Sequence, residues 1–197
     1  DIGNRHFPYI ERKKGRNQKK PARIPITQHN KFVYRVFNNN SWLEGGRFYG
    51  GWWQQISEDD RMHIRLDGER TIEVDYSGIH IHLLYARKNM IYEESDPYTI
   101  DLPEIPEPKA RRWLIKQVLL IAVNAEDVKL ACSAIRRKIN NDLPDEYQLP
   151  DIKLDDDFLT SIIDRLRAKH TQIAEFLCSG AGIELQNQDS QIANKII

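Results

Sequence analysis

Along this chain the spacing of apolar and polar positions changes period several times, and each change predicts an element. Apolar and polar residues roughly alternate over 31–37, which predicts a short strand or arm, and Asn38-Asn39-Asn40 reads as the turn after it. Beyond an aromatic-rich and glycine-rich run at 45–55, residues 63–66 and 71–75 flank Asp67-Gly68 and predict a β-hairpin. An Asp-Gly pair suits such a turn because it tolerates positive φ. In the second predicted strand Ile72 and Val74 face one way, and Thr71, Glu73 and Asp75 the other. Tyr76-Ser77-Gly78 breaks that strand, and residues 79–86 begin a helix.

After a connection marked by Pro97, Pro103, Pro106 and Pro108 the period becomes helical. Helices are expected at about 109–124, 127–139 and 155–177, with a last pattern over 185–197. Pro108 stands where a first-turn proline is tolerated. Asp155, Asp156 and Asp157 suit the positive end of a helix dipole, and Ser179-Gly180 can stop a helix. A hairpin flanked by several helices gives an α+β class. The expected organisation is a basic arm at 1–40, a hairpin-bearing part at 41–105, a helical part at 106–180 and a returning segment at 181–197.

Composition changes this picture in three places. With 197 residues, 40% of them hydrophobic, the chain can bury a core. No apolar run approaches the roughly 18 residues of a membrane span. Cys132 and Cys178 make no metal-ligand spacing, so a reducing, cytoplasmic setting is expected. The first residue is Asp, which suggests a partial or trimmed chain. Net charge is zero, yet residues 1–36 carry ten Lys and Arg against Asp1 and Glu11, a local +8. Such an arm is either a solvated tail or a phosphate-tracking segment, in which Lys13, Lys14, Arg16, Lys19 and Lys20 would release counterions on binding nucleic acid.

The candidate chemistry begins at Asp75, a carboxylate at the end of a predicted strand and before a tight turn. Held rigidly there, it can bind a hard cation such as Mg²⁺, or it can simply cap the turn. On the helix expected over 109–124, positions 112, 116, 120 and 124 drift slowly round the axis. Arg112 and Lys116 therefore lie one turn apart on one face, spaced to hold a polyphosphate, with Arg111 as the substitute if the register differs by one. His80 and His82 differ by about 200° on a helix and cannot share an ion there. At least one of Trp52 and Trp53 is expected in a core.

These stretches, taken in order, resemble the DNA polymerase I family and its single-subunit phage RNA polymerase relatives. Glu-Val-Asp-Tyr-Ser-Gly-Ile-His-Ile-His-Leu-Leu-Tyr-Ala at 73–86 is similar to motif A of the palm. Gly46-Arg47, Gln54, Arg61 and Arg65 resemble the segment leading into it, and residues 112–125 resemble the fingers helix, motif B. Gln186 matches a glutamine of the helix that precedes motif C, which is expected beyond Ile197. The resemblance implies a templated nucleotidyltransferase acting on a DNA or RNA primer–template with nucleoside triphosphates and Mg²⁺ or Mn²⁺. Asp75 would hold metal and Lys116 would also serve as a proton donor. Arg112, Lys116, His80 and Asn124 would face the nucleotide, and Arg47, Gln54 and Gln186 the duplex. His80 stands where that family's DNA polymerases carry Glu, and Asn124-Ala125 where they carry Tyr-Gly, so the choice of sugar stays open. Two-ion chemistry needs carboxylates that hold ions about 4 Å apart, and here motif A supplies only Asp75. A polymerase-like binding protein without chemistry and a nuclease using Glu73 with Asp75 are the alternatives.

Overall fold

Glu107 ends the proline-marked connection by capping a helix: its carboxylate accepts from the backbone N–H groups of Lys109 and Ala110, with Pro108 at the first helical position. That helix, α3 in chain order, runs Pro108–Asn124. This computed structural model describes residues 9–11, 23–25 and 28–196. The basic residues Lys13, Lys14, Arg16, Lys19 and Lys20 lie outside the described residues. Six strands form three antiparallel hairpins among the described residues: β1 (Tyr9–Glu11) with β2 (Arg23–Pro25), β3 (Tyr34–Asn38) with β4 (Ser41–Tyr49), and β5 (Arg65–Leu66) with β6 (Glu69–Arg70). The other helices are α1 (Glu58–Arg61), α2 (Ile79–Arg87), α4 (Val128–Asp142), α5 (Asp156–Lys169) and α6 (Gly182–Ile196). The class is α+β, as the sequence predicts.

The core is a helical stack around α3. Leu114, Ile115, Val118, Leu119, Ala122 and Val123 of α3 are all buried, against α4, α5 and α6. The same core takes in Ile81, Leu84 and Tyr85 of α2 and Tyr98, Leu102 and Ile105 of the connection. One core therefore crosses the boundary expected at 105/106. Trp52 and Ile56 form a second small cluster, with Trp53 packed edge-on against Trp52.

Two expectations need correction. The hairpin at Asp67-Gly68 closes, with both turn residues at positive φ, but its second strand stops at Arg70. Residues 71–76 carry no strand pairing, because Ile72 (87% exposed) and Val74 (75% exposed) have no apolar surface to cover them. The helix expected to reach 177 ends at Lys169, and a 3₁₀ turn, Thr171–Phe176, follows. The break falls at His170, whose φ of −107° and ψ of 51° leave the helical region.

β3 and β4 pack on α6 through polar bonds as well as apolar contact. Arg35 donates from Nη2 to Ser190 Oγ (2.8 Å) and from Nε to the Gly46 carbonyl (2.7 Å), while Asn187 Nδ2 donates to the Trp42 carbonyl (3.0 Å). Gly46 has φ of +84°, and a Cβ there would meet the Arg35 guanidinium at 2.8 Å and Ser190 Oγ at 3.1 Å. Only glycine lets α6 cross the strand that closely.

His170 is buried completely and bonded on both ring nitrogens, Nε2 to the Pro97 carbonyl (3.0 Å) and Nδ1 to the Tyr85 hydroxyl (3.2 Å). A carbonyl only accepts, so Nε2 carries the proton and Nδ1 accepts from tyrosine. Burial pushes the His170 pKa down, aided by Lys169 and opposed by the Pro97 bond and Glu94. His80 is shifted in the same direction. Between the lowered folded pKa and the unfolded value of about 6.5, the unfolded chain binds more protons. Stability from these histidines is complete above about pH 6.5 and is lost as pH falls through the folded pKa. The urea midpoint is expected to drop between about pH 7.5 and about pH 5.5, and to drop less in His170→Gln, as followed by circular dichroism. A drop of equal size in that variant would remove His170 from this account.

Candidate active site

The turn that carries Asp75 is set by one glycine. Gly78 has φ of +66° and is the N-cap of α2. A Cβ on it would lie 3.0 Å from Pro97 Cγ and 3.7 Å from the Tyr98 hydroxyl. Tyr76-Ser77-Gly78 thus presses against the 97–98 segment, and Asp75 stands at the mouth of a cavity of about 270 Å³. Asp75, Tyr76, Ser77, His80, Tyr98, Arg112, Lys116, Leu120 and Arg47 line it.

Arg112 and Lys116 meet in this cavity because burial of the rest of α3 leaves them its free edge. The Arg112 guanidinium carbon lies 5.4 Å from the centre of the Tyr98 ring, and Lys116 Nζ lies 5.8 Å from it, within the reach of cation–π attraction. Arg112 Nε also donates to Asp96 Oδ2 at 2.8 Å. Burial raises the Asp96 pKa, but the Arg112 bond and the Tyr98 backbone N–H outweigh it and hold the carboxyl below its ordinary value. Lys116 and Asp75 make no ion pair with each other or with any other described residue. Arg111, the alternative to Arg112, does not line the cavity.

Arg47 reaches the site from β4. Its Nη2 stands 3.4 Å from His80 Nε2 and 3.6 Å from Asp189 Oδ2. A guanidinium can only donate, so Nε2 of His80 accepts and Nδ1 carries the hydrogen. That Nδ1 is buried with no hydrogen-bond partner among the described residues. Burial pushes the His80 pKa down, Arg47 adds to the shift and Asp189 opposes it. The imidazole is neutral at pH 7, and its one unused donor is buried rather than open to the cavity.

The remaining sequence candidates lie elsewhere. Asn124 Nδ2 donates to the Leu120 carbonyl (2.7 Å), and its Oδ1 accepts from Gln186 Nε2 (3.4 Å). The two are partners of each other where α3 meets α6, away from the cavity. Gln54 Nε2 donates to the Phe48 carbonyl (3.0 Å), bracing the 3₁₀ turn Trp52–Gln54 on β4. Glu73 is engaged by Arg61 at 3.0 Å and is not in the cavity wall. α2 separates His80 from His82, which is exposed and edge-on to Tyr92.

Tyr98 is the wall residue that pattern reasoning passed over. Its signal was faint: a lone aromatic after Pro97 inside a proline-marked connection. Its ring is buried and its hydroxyl has no hydrogen-bond partner among the described residues. Burial pushes its pKa up.

As a metal site the cavity is incomplete. Asp75 is its only carboxylate, and no cluster of three or more His, Cys, Asp or Glu suited to a metal occurs among the described residues. A two-ion clamp does not fit what is present, whereas one hard cation shared with a phosphate-bearing ligand needs only one or two carboxylates.

Gly78→Ala is expected to cost about 1–2 kcal/mol of stability from the left-handed backbone alone, with the Pro97 contact adding to it. Chemical denaturation measures this, and a change within about 0.5 kcal/mol, the range of an ordinary surface substitution, would contradict it.

No helix among the described residues is long and apolar enough to cross a membrane. No protein-family model, no curated protein and no solved structure matches this chain, so a functional reading stands on the residues and on the cavity they line.

Proposed function

We propose that this chain is the nucleotide-holding part of a template-directed nucleotidyltransferase, related in its motifs to the palm and fingers of the DNA polymerase I family. The observation that supports the reading is the meeting of Asp75, Arg112 and Lys116 in one cavity, although 37 to 41 residues separate the carboxylate from the cations. The resemblance required that meeting, and nothing in the spacing of the residues guaranteed it.

In this reading a nucleoside triphosphate lays its phosphates along Arg112 and Lys116. Arg112 exchanges the Asp96 carboxylate for phosphate oxygens, a fork-to-oxyanion contact of the strong, charge-assisted kind. Asp75 would hold a Mg²⁺ or Mn²⁺ ion brought with the triphosphate, and such an ion would neutralise phosphate charge. A 3′-hydroxyl, its proton passing to solvent water, forms the new bond to the α-phosphorus while the bond to the pyrophosphate oxygen breaks. Lys116 Nζ–H is aimed to give that oxygen a proton. The neutral His80 stands in the wall beside Arg47 and adds no charge against the phosphates. Complete chemistry requires carboxylates besides Asp75.

The lone carboxylate favours a second reading, a polymerase-like protein that binds nucleic acid and nucleotide without catalysis. The nuclease reading has less support, since Glu73 is held by Arg61.

Titration with dNTPs and NTPs in separate experiments is expected to give saturable, Mg²⁺-strengthened binding. Lys116→Ala or Arg112→Ala should each weaken it about tenfold or more, the scale of a lost charged hydrogen bond. Unchanged binding in both variants would end the nucleotide reading. Primer extension with Mg²⁺ separates catalyst from binder, and Asp75→Asn should abolish any incorporation while sparing duplex binding.

A further inference from the structure

The β3–β4 hairpin has two unlike faces. The inner one carries Arg35 between the rings of Phe37 (4.8 Å) and Phe48 (5.4 Å), directed at α6. On the outer face the strand register sets Tyr34 opposite Tyr49 and Val36 opposite Arg47. Arg47 at one end of this face reaches His80 and Asp189, but the apolar residues stay open: Tyr34 is 62% exposed, Tyr49 45% and Val36 42%. The two tyrosine rings are 6.5 Å apart and inclined by 35°. Tyr34 lies across the backbone of Gly50, whose φ is +106° and whose Cβ, if present, would meet the ring at 2.7 Å. The ring edge therefore rests against main chain.

Two exposed rings held side by side on paired strands offer faces to planar partners. The charge around them selects which. β3 holds no acidic residue, and the Glu44 carboxylate of β4 is taken by Asn39 at the far turn (2.6 Å). The sequence that precedes β3, residues 1–33, carries nine Lys and Arg against Asp1 and Glu11, a local +7. Arg47, two residues before Tyr49 on β4, lines the cavity. An exposed aromatic pair on a hairpin without free carboxylates, in a chain whose preceding sequence is strongly basic, suits a polyanion that exposes its bases, since stacking holds the bases while cations hold the phosphates. A duplex hides those base faces, and an acidic peptide has none.

We propose that the outer face of the β3–β4 hairpin is a stacking site for an unpaired segment of a nucleic-acid strand, with successive bases on Tyr34 and Tyr49. It deepens the nucleotidyltransferase reading, on which it rests only for the role of that strand as template. The binding itself stands on the hairpin.

The test is fluorescence anisotropy of the full chain with a labelled oligothymidylate of about 15 nucleotides, the upper range of a stacking site, repeated over a salt series. Tyr34→Leu/Tyr49→Leu keeps apolar bulk but removes the rings. It should weaken binding about tenfold or more at every salt concentration without changing the salt slope, because no phosphate contact is lost. Tyr34→Phe/Tyr49→Phe should bind as the wild type does. A blunt duplex of the same length should be insensitive to the leucine pair. The site is overturned if the wild type does not bind the oligonucleotide, if the leucine pair binds it equally well, or if the phenylalanine pair loses as much as the leucine pair. Triphosphate binding by the leucine pair, with unchanged circular dichroism, is the separating control. That binding depends on Arg112 and Lys116, so the hairpin site and the nucleotide reading can fail independently.

Discussion

Burial of α3 is the constraint from which the site follows. A helix packed on three others has little freedom to rotate, since each of its inward leucines, isoleucines and valines would lose roughly 1.5–3 kcal/mol of transfer free energy on exposure. With Leu114, Ile115, Val118, Leu119, Ala122 and Val123 inside, the stripe of α3 that faces Tyr98 is left for polar side chains. Arg112 and Lys116 occupy it. Lys116 makes no ion pair among the described residues, whereas Arg112 is also held by Asp96 at 2.8 Å. Their direction is set by the core behind them and by the Tyr98 ring beneath them.

The wall facing α3 is assembled by clamping a short segment from two sides. Gly78 presses on Pro97 from α2, and His170 takes the Pro97 carbonyl from the end of α5. Asp96 and Tyr98 flank that proline, and both touch Arg112. The position of the guanidinium therefore depends on His170, which reaches the site only through this loop. The helix break at His170 has the same explanation. By leaving helical dihedrals there, the chain turns an otherwise exposed imidazole inward, where two hydrogen bonds offset its desolvation.

Sequence patterning read most of this where the free energy is local or periodic. Asp127 and Asp155 cap α4 and α5 through the backbone N–H groups of Leu130 and Phe158, and the paired positive φ at Asn39 and Asn40 closes β3 onto β4. Helical period left Arg111 and Arg112 one register apart, and it is the fold that separates them, since Arg112 lines the cavity and Arg111 does not. Patterning failed where a residue's state depends on a distant surface. Alternation over 71–75 is a strand signal only if something covers Ile72 and Val74, and their exposure shows that nothing described does. Asn124 and Gln186 share a helix junction that no spacing rule predicts. His170 and Tyr98 carry no motif; their roles come from contacts across 73 residues and from the far side of α3.

The balance of charge in the cavity bears on what it can hold. Arg47, Arg112 and Lys116 contribute three cationic groups to its wall, Asp75 one anion, and His80 is neutral there. A bare divalent cation would meet a net positive surface, and one carboxylate is a thin shell for an ion that prefers six oxygens. A polyphosphate reverses both objections, because it satisfies the cations and brings oxygens that complete the shell of an ion at Asp75. In the proposed nucleotide complex, metal and triphosphate would therefore bind with positive coupling, each supplying what the other lacks. By linkage that coupling is reciprocal, so Asp75→Asn should weaken the metal dependence of triphosphate binding more than the binding itself, and Lys116→Ala the reverse. Titrations of each variant with and without Mg²⁺ measure both effects, and equal losses in the two variants would mean that Asp75 and Lys116 do not act on one ligand.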